Sequence, residues 1–144
     1  MPTVFTRIID GEFPGHFVWR DETCAAFLSI NPLTPGHTLV VPRAEVDHWL
    51  DLDVATNQHL TAVAHHVGTA ISTTWSPPRV GTIIAGYEVP HVHVHVFATW
   101  DMGDFDFSTA AASVDPDELA SNAKTLRAAL RAAGHDTQAG EPGD

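Results

Sequence analysis

The sequence predicts an α+β fold. Three observations carry that reading: short extended runs punctuated by Gly and Pro, a helical periodicity in the middle of the chain, and a second helical segment with its own start and stop signals. Phe17 to Arg20, Thr23 to Leu28 and His37 to Pro42 are brief runs, the last two divided by the Asn31-Pro32 and Pro35-Gly36 turns, which is the layout of an antiparallel meander. From about Val54 to Ser72, Leu60, Val63, Val67 and Ile71 recur every three or four residues with Ala64 and Ala70 between them. That spacing places one narrow apolar stripe on a helix, which is expected to cover the sheet. Trp75-Ser76-Pro77-Pro78 cannot continue a helix. Two further extended runs follow, Arg79 to Ala85 and His91 to Ala98. A second helix is expected over Pro116 to Ala133, where Asp115 caps the N-terminus, Pro116 suits the first turn, Asp117 and Glu118 suit the positive end, and Arg127 and Arg131 the negative end. Gly134 ends it. Residues 1–134 are expected to form a single domain without internal repeats, and the polar residues 135–144 a disordered tail.

Composition narrows the class of partner. With 44% hydrophobic and 17% charged residues the chain has the balance of an ordinary folded globule. Its apolar stretches fall far short of the roughly 20 residues a membrane-spanning helix needs, and Asp10 and Glu12 break the charged-then-apolar layout of a signal peptide. The expectation is a soluble cytoplasmic protein that does not engage a membrane. Seven basic against eighteen acidic residues give a formal net charge of −11, which repels nucleic-acid backbone and anionic lipid surfaces beyond contact distance. Polymeric nucleic acid is therefore excluded as an expected partner. A small phosphorylated ligand is not, because a pocket can be rich in donors on an acidic surface. The single cysteine, Cys24, allows no intrachain disulfide and no Cys-based zinc cluster, and reads as a small buried hydrophobe on a strand.

The chemistry concentrates in His91-Val92-His93-Val94-His95-Val96-Phe97. Period-two alternation along a strand puts the three imidazoles on one face, about 7 Å apart per step, and the valines on the other. A core strand would not desolvate three imidazoles on one face, and a solvated strand seldom repeats His where Thr or Lys would serve. Two functional readings remain open on these residues alone. One is a metal site, since His-x-His on a strand offers two imidazoles to one ion. The other is phosphoryl chemistry on one imidazole nitrogen, with neighbouring imidazoles binding phosphate oxygens.

The surrounding residues resemble the histidine triad family. His91 to Phe97 matches its His-x-His-x-His followed by two hydrophobics, with Ala85-Gly86 ahead of it. Pro35-Gly36-His37-Thr38-Leu39-Val40-Val41-Pro42-Arg43 resembles its second signature, and Val4-Phe5 through Ile8-Ile9-Asp10-Gly11-Glu12-Phe13-Pro14 its N-terminal one. Together the three signatures span residues 3–98. The resemblance implies a five-stranded antiparallel sheet with one long helix, here followed by a C-terminal helix, usually paired as a homodimer. It implies that His93 is a nucleophile whose Nε2 attacks the α-phosphorus of a nucleotide and leaves a nucleotidyl-histidine that water cleaves. By the same matching His95 and His37 donate to phosphoryl oxygens, His91 supports the network, and a carbonyl on Nδ1 of His93 sets its tautomer. Val4, Phe5, Ile8 and Phe27 fall where relatives line the nucleobase pocket, although apolar residues at such places are core by default.

The chain also departs from its relatives. Where many hold the ribose with Asp or Asn, it has Ser29, with Asn31 two residues on. Ahead of the triad, where relatives carry Asn, Gly and then Gln-Ser or Gln-Thr, it has Val80, Gly81, Thr82 and then Tyr87-Glu88, with Gly86 preceding them. A carboxylate at 88 about 4 Å from a phosphate would cost about 4 kcal/mol at an effective dielectric of 20. Either Glu88 is protonated or turned outward, or it faces a cationic amine leaving group. Some bacterial relatives bind structural zinc through Cys-x-x-Cys, a later histidine and the first triad histidine. Here Thr3, Thr6 and Glu45 take three of those positions, so no metal and no cofactor are expected. His48 cannot replace three ligands, and His16, His59, His65, His66 and His135 carry no assigned role.

The expected activity is thus that of a nucleotidyl hydrolase or transferase of phosphoramidase type, acting on nucleoside phosphoramidates or similar conjugates. A nucleotide-binding protein of low or no turnover, and a dinucleoside polyphosphate hydrolase, are the alternatives.

Overall fold

The computed structural model describes residues 2–140. β1 (Phe17–Arg20), β2 (Cys24–Leu28), β3 (Thr38–Pro42), β4 (Arg79–Ile83) and β5 (Val94–Thr99) form one antiparallel sheet in the order β1-β2-β3-β5-β4. The helices are α1 (Val4–Ile9), α2 (Val54–Trp75), α3 (Pro116–Ala132) and the short α4 (Asp136–Ala139). The α+β expectation and its five-stranded sheet hold.

Alternation of side chains across the sheet produces two apolar clusters on opposite faces. Cys24, Ala26 and Leu28 of β2, Val40 of β3 and Val94, Val96 and Ala98 of β5 pack with Leu60, Val63, Val67 and Ile71 of α2 and Leu119, Leu126 and Leu130 of α3. Ala25, Phe27, Leu39 and Val41 point the other way and meet Phe5 and Ile9 of α1. The stripe read from the sequence is therefore the buried face of α2, and each of its large side chains contributes about 1.5–3 kcal/mol by leaving water. α2 starts where the Asp53 side chain accepts from the Thr56 amide at 2.7 Å, and stops at Ser76, in the left-handed region at φ 50°, just ahead of the two prolines. α3 starts as expected, with Asp115 accepting from the Asp117 amide at 2.8 Å.

Three details differ from the sequence reading. β5 begins at Val94 rather than His91, because its ladder with β3 ends at the pair Val40↔Val94 and its ladder with β4 at Ile83↔His95. Upstream of Val94 the chain lies beyond both ladders, and the Val92 amide bonds the carbonyl of Val46 instead. Second, residues 136–139 are not a disordered tail. They form α4, in which Ala139 is buried, and His135 lies against Trp19 and His66 with ring centroids at 5.2 and 4.3 Å. The rest of the expected tail, 141–144, lies outside the described residues. Third, two 3-10 turns, Met102–Phe105 and Phe107–Thr109, fold back over the sheet. That approach needs Gly81, where an added Cβ would sit 2.5 Å from the Phe105 ring. Gly36 is required likewise, with φ +85° and a Cβ position 2.4 Å from the Trp75 ring. Among the described residues no helix is long and apolar enough to cross a membrane.

Candidate functional site

His93 and His95 lie on the sheet face opposite α2, His95 within β5 and His93 in the extended lead-in to it. Their ring centroids are 4.9 Å apart. His37 approaches from the start of β3, 5.1 Å from His95, and His91 lies ahead of His93 with no exposed surface. All four imidazoles are buried, His37 to 1% exposure and His93 to 4%. The sequence therefore brought the four expected histidines to one place.

Hydrogen bonds determine which nitrogen of each ring carries the proton. The Leu33 amide donates to His37 Nδ1 at 2.9 Å, so a neutral His37 has its proton on Nε2. That Nε2–H donates to His95 Nδ1 at 2.9 Å, which leaves the proton of His95 on Nε2 as an outward donor. His93 is set the other way. Its Nδ1–H donates to the carbonyl of His91 at 2.7 Å, so Nε2 holds the lone pair. His91 Nε2–H donates to the Pro42 carbonyl at 2.7 Å, and its Nδ1 accepts from the Thr3 hydroxyl at 2.6 Å.

Electrostatics disfavour a charge on His37, His95 and His93. Burial, with the neighbouring His95 and His93, pushes His37 down to about 3. Burial and His93 push His95 down to about 4. Burial also lowers His93, against opposing contributions from its bond to the His91 carbonyl and from the charge of Glu88. The constellation thus sets a lone pair on His93 Nε2 beside an N–H on His95 Nε2, which is the pairing of a nucleophile with an oxyanion donor. The expectation that His37 donates to a ligand itself needs correction: its one proton is taken by His95, through which alone it acts.

The expected pocket residues divide into groups. Phe5 and Phe27 are buried, Ile8 half-buried, and Val4 is 41% exposed. Phe5 stands edge-on to His93 at 4.8 Å and to Phe27 at 5.7 Å, so an apolar wall adjoins His93. Ser29 lines a cleft of about 410 Å³ with His37. Asn31 is a tie between loops: both amide hydrogens go to the carbonyls of Ala111 and Ala112 at 3.1 and 3.0 Å, leaving only its oxygen for a ligand. Gly86 lies in the turn between β4 and the triad at φ +81°. Glu88 is exposed in the same turn, yet its charge is felt at His93.

Sequence reasoning missed Phe107, and it named Thr3 only as a residue unfit for zinc, without its bond to His91. Phe107 stands edge-on to His95 at 4.9 Å, so a row of rings runs Phe5, His93, His95, Phe107. Thr3 reaches His91, as above. Neither has a local signal, since a lone Phe in an acidic loop and a lone Thr near the chain start have no periodicity to read. A separate trio, Asp21, Cys24 and His59, has ligand atoms within 4.8 Å of one another. Its chemistry is that of a turn cap. Asp21, despite burial that would raise it, is held at about 2 by donors that include Trp19, the Cys24 amide and His59, while burial pushes the Cys24 thiol far up.

Residues 10–102 match the HIT domain. The chain belongs to the histidine triad family. It is 35% identical over 111 residues to an uncharacterized HIT-like protein of Borreliella burgdorferi, covering 72% of this chain and 80% of that one. It is 33% identical over 107 residues to Protein hit of Bacillus subtilis, covering 70% and 73%. Among solved structures of the histidine triad family, a hypothetical nucleotide-binding protein from Sulfolobus tokodaii matches with a TM-score of 0.80 at 26% identity, over 94% of this chain and 99% of that one. A zinc-bound member from Mycobacterium smegmatis matches at 0.76 and 28% identity, over 90% and 94%. Zinc does not fit the residues clustered around His91. Thr3, Thr6 and Glu45 offer His91 two alcohols and one carboxylate already engaged by hydrogen bonds, not the thiolates and imidazoles of a closed zinc site.

Proposed function

We propose that the protein binds a nucleotide and acts as a hydrolase or transferase at its α-phosphate, with nucleoside phosphoramidates or similar conjugates as substrates. The observation that carries this reading is the opposed hydrogen bonding of two adjacent imidazoles, Nδ1 of His93 against the His91 carbonyl and Nδ1 of His95 against His37 Nε2, which assigns the free lone pair to His93 Nε2 and the free N–H to His95 Nε2. In the first step the Nε2 lone pair of His93 forms a bond to the α-phosphorus while the bond from phosphorus to the amine breaks, the amine leaving with a proton taken from water. His95 Nε2–H supports the phosphoryl oxygen on which charge grows. The nucleotidyl-imidazolium is steadied by its Nδ1–H on the His91 carbonyl. Water then attacks phosphorus and gives a proton to the hydroxide left by the first step, His93 departs with its Nε2 lone pair, and a nucleoside monophosphate is released.

On this reading the base lies on Val4, Phe5, Ile8 and Phe27, and the apolar wall discriminates weakly among bases. Ser29 and the oxygen of Asn31 are the polar groups available to the sugar, and Gly86 and Glu88 flank the leaving group. Glu88 at His93 favours a cationic amine over a further phosphate, which ranks phosphoramidates above dinucleoside polyphosphates. The homodimer is proposed on the edge of β4, which pairs with β5 alone among the described strands, and on the adjoining groove of about 360 Å³ lined by Gly68, Val80, Thr82 and Val96. Sedimentation equilibrium at micromolar concentration checks it.

The test of the activity is a turnover screen of phosphoramidates and dinucleoside polyphosphates with wild type and His93→Ala, with mass spectrometry of the acid-quenched enzyme. Turnover and an adduct of one nucleotidyl group, both absent from His93→Ala, are expected. Nucleotide binding with neither would leave the binding-protein reading in place of this one.

A further inference from the structure

Thr3, Thr6, Glu45 and His91 come from three separate parts of the chain and meet in one hydrogen-bonded cluster. The Thr3 amide donates to Glu45 Oε1 at 2.7 Å. The Thr3 hydroxyl oxygen accepts from the Thr6 amide at 3.2 Å and so caps α1. Glu45 is held below the usual carboxylate range by bonds from the Thr6 side chain and the Thr3 backbone. The Thr3 hydroxyl and His91 Nδ1 are 2.6 Å apart, across 88 residues of sequence. Because His91 Nε2 must donate to the Pro42 carbonyl, Nδ1 of the neutral ring has no proton, and the Thr3 hydroxyl must be the donor. The proton of Thr3 therefore has one strong destination; its other neighbour, Thr6 Oγ1, is 3.4 Å away.

We infer that Thr3 is a positioning residue: it locks the ring of His91, and through the His91 carbonyl the ring of His93, by a clamp made of hydrogen bonds. Three consequences follow from the geometry. With Nδ1 capped by Thr3 and Nε2 by Pro42, the fully buried His91 ring has both nitrogens satisfied in one orientation only. The same residue offers its carbonyl to His93 Nδ1, so backbone placement at 91 is passed directly to the direction of the His93 lone pair. And Thr3 is the residue that caps α1, whose Phe5 stands against both His91 and His93 at 5.8 and 4.8 Å, so one hydroxyl ties the apolar wall to the triad. The role of Thr3 in turnover rests on the proposed reading of His93; its bond to His91 does not.

The test compares wild type with Thr3→Val, which keeps shape and loses the hydroxyl, and Thr3→Ser, which keeps the hydroxyl. Long-range proton–nitrogen correlation on uniformly labelled protein reads His91 directly. In wild type and Thr3→Ser the Nδ1 resonance is expected upfield of a free unprotonated imidazole nitrogen, as a strong acceptor; in Thr3→Val it moves toward the free position. Turnover of a phosphoramidate by Thr3→Val is expected to fall about tenfold to a hundredfold in kcat with KM changed less, and Thr3→Ser to recover most of it. Zinc chloride titrated into the metal-free protein is expected to leave the His91 resonances in place. An Nδ1 resonance indifferent to Thr3→Val, a Thr3→Ser as impaired as Thr3→Val, or stoichiometric zinc on His91 would each overturn the clamp. If wild type turns over no phosphoramidate, the reading of His93 fails while the nitrogen resonances still decide the clamp.

Discussion

Mild acid should unfold this protein through its buried histidines, and His37→Asn should reduce that sensitivity by a definite amount. In the unfolded chain each imidazole takes up a proton as pH falls through about 6.5. In the folded protein burial and neighbouring imidazoles hold His37 down to about 3 and His95 down to about 4. Between those limits the unfolded state binds more protons, so the stability of the neutral pair is complete above the ordinary imidazole value and is lost as pH falls below it. Each such site removes up to about 1.4 kcal/mol per pH unit. Two of them acting from about pH 6.5 to about 4.5 remove at most about 5 kcal/mol, an upper bound because the two rings share a hydrogen bond and titrate together. That is comparable with the whole stability of a small domain, about 5–15 kcal/mol. His93, also lowered by burial, acts with the same sign. Asp21 joins only below about pH 4, its ordinary range, since it is held at about 2. Urea unfolding at a series of pH values measures the slope. Asn at position 37 keeps an acceptor near the Leu33 amide and removes the titrating ring, so the slope below about pH 5.5 should shrink by close to one proton, about 1.4 kcal/mol per pH unit. Parallel stability curves for wild type and His37→Asn would refute the reasoning, whatever the difference in their absolute stability.

Three further outcomes follow from the site. His93→Ala should lower the first chemical step by orders of magnitude while calorimetry finds nucleotide affinity little changed, because a nucleophile acts in the transition state; a larger loss in His91→Ala would reverse the roles of the two residues. Glu88→Ser should shift the ratio of specificity constants toward dinucleoside polyphosphates, by about tenfold for each 1.4 kcal/mol of repulsion removed, and an unchanged ratio would mean that the carboxylate serves only solvent. Phe107→Ala should cost about tenfold in kcat/KM for phosphoramidates with a bulky apolar leaving amine and much less for one with methylamine; equal losses for both would place Phe107 outside the leaving-group side.

What could be read ahead of the structure was whatever repeats locally. The stripe of α2 needed only a spacing of three or four, so Leu60, Val63, Val67 and Ile71 fell on the buried face expected of them. The triad was legible for the same reason, although its first two histidines lie ahead of β5 rather than in it. The remainder depends on contacts between residues far apart in sequence. His37 meets His95 across 58 residues and Thr3 meets His91 across 88. Pattern matching could bring His37 to the site, but not the direction of its proton, which is set by one backbone amide at Leu33. Nor could the presence of Thr3, Thr6 and Glu45 say more than that zinc was not expected. Thr3, Thr6 and Glu45 nonetheless form one hydrogen-bonded cluster, which Thr3 joins to His91. Without the Thr3 contact a buried imidazole nitrogen would lack a partner, at a cost of about 1–3 kcal/mol. A hydroxyl at position 3 removes that penalty and holds the His91 ring in the orientation from which its carbonyl reaches His93 Nδ1.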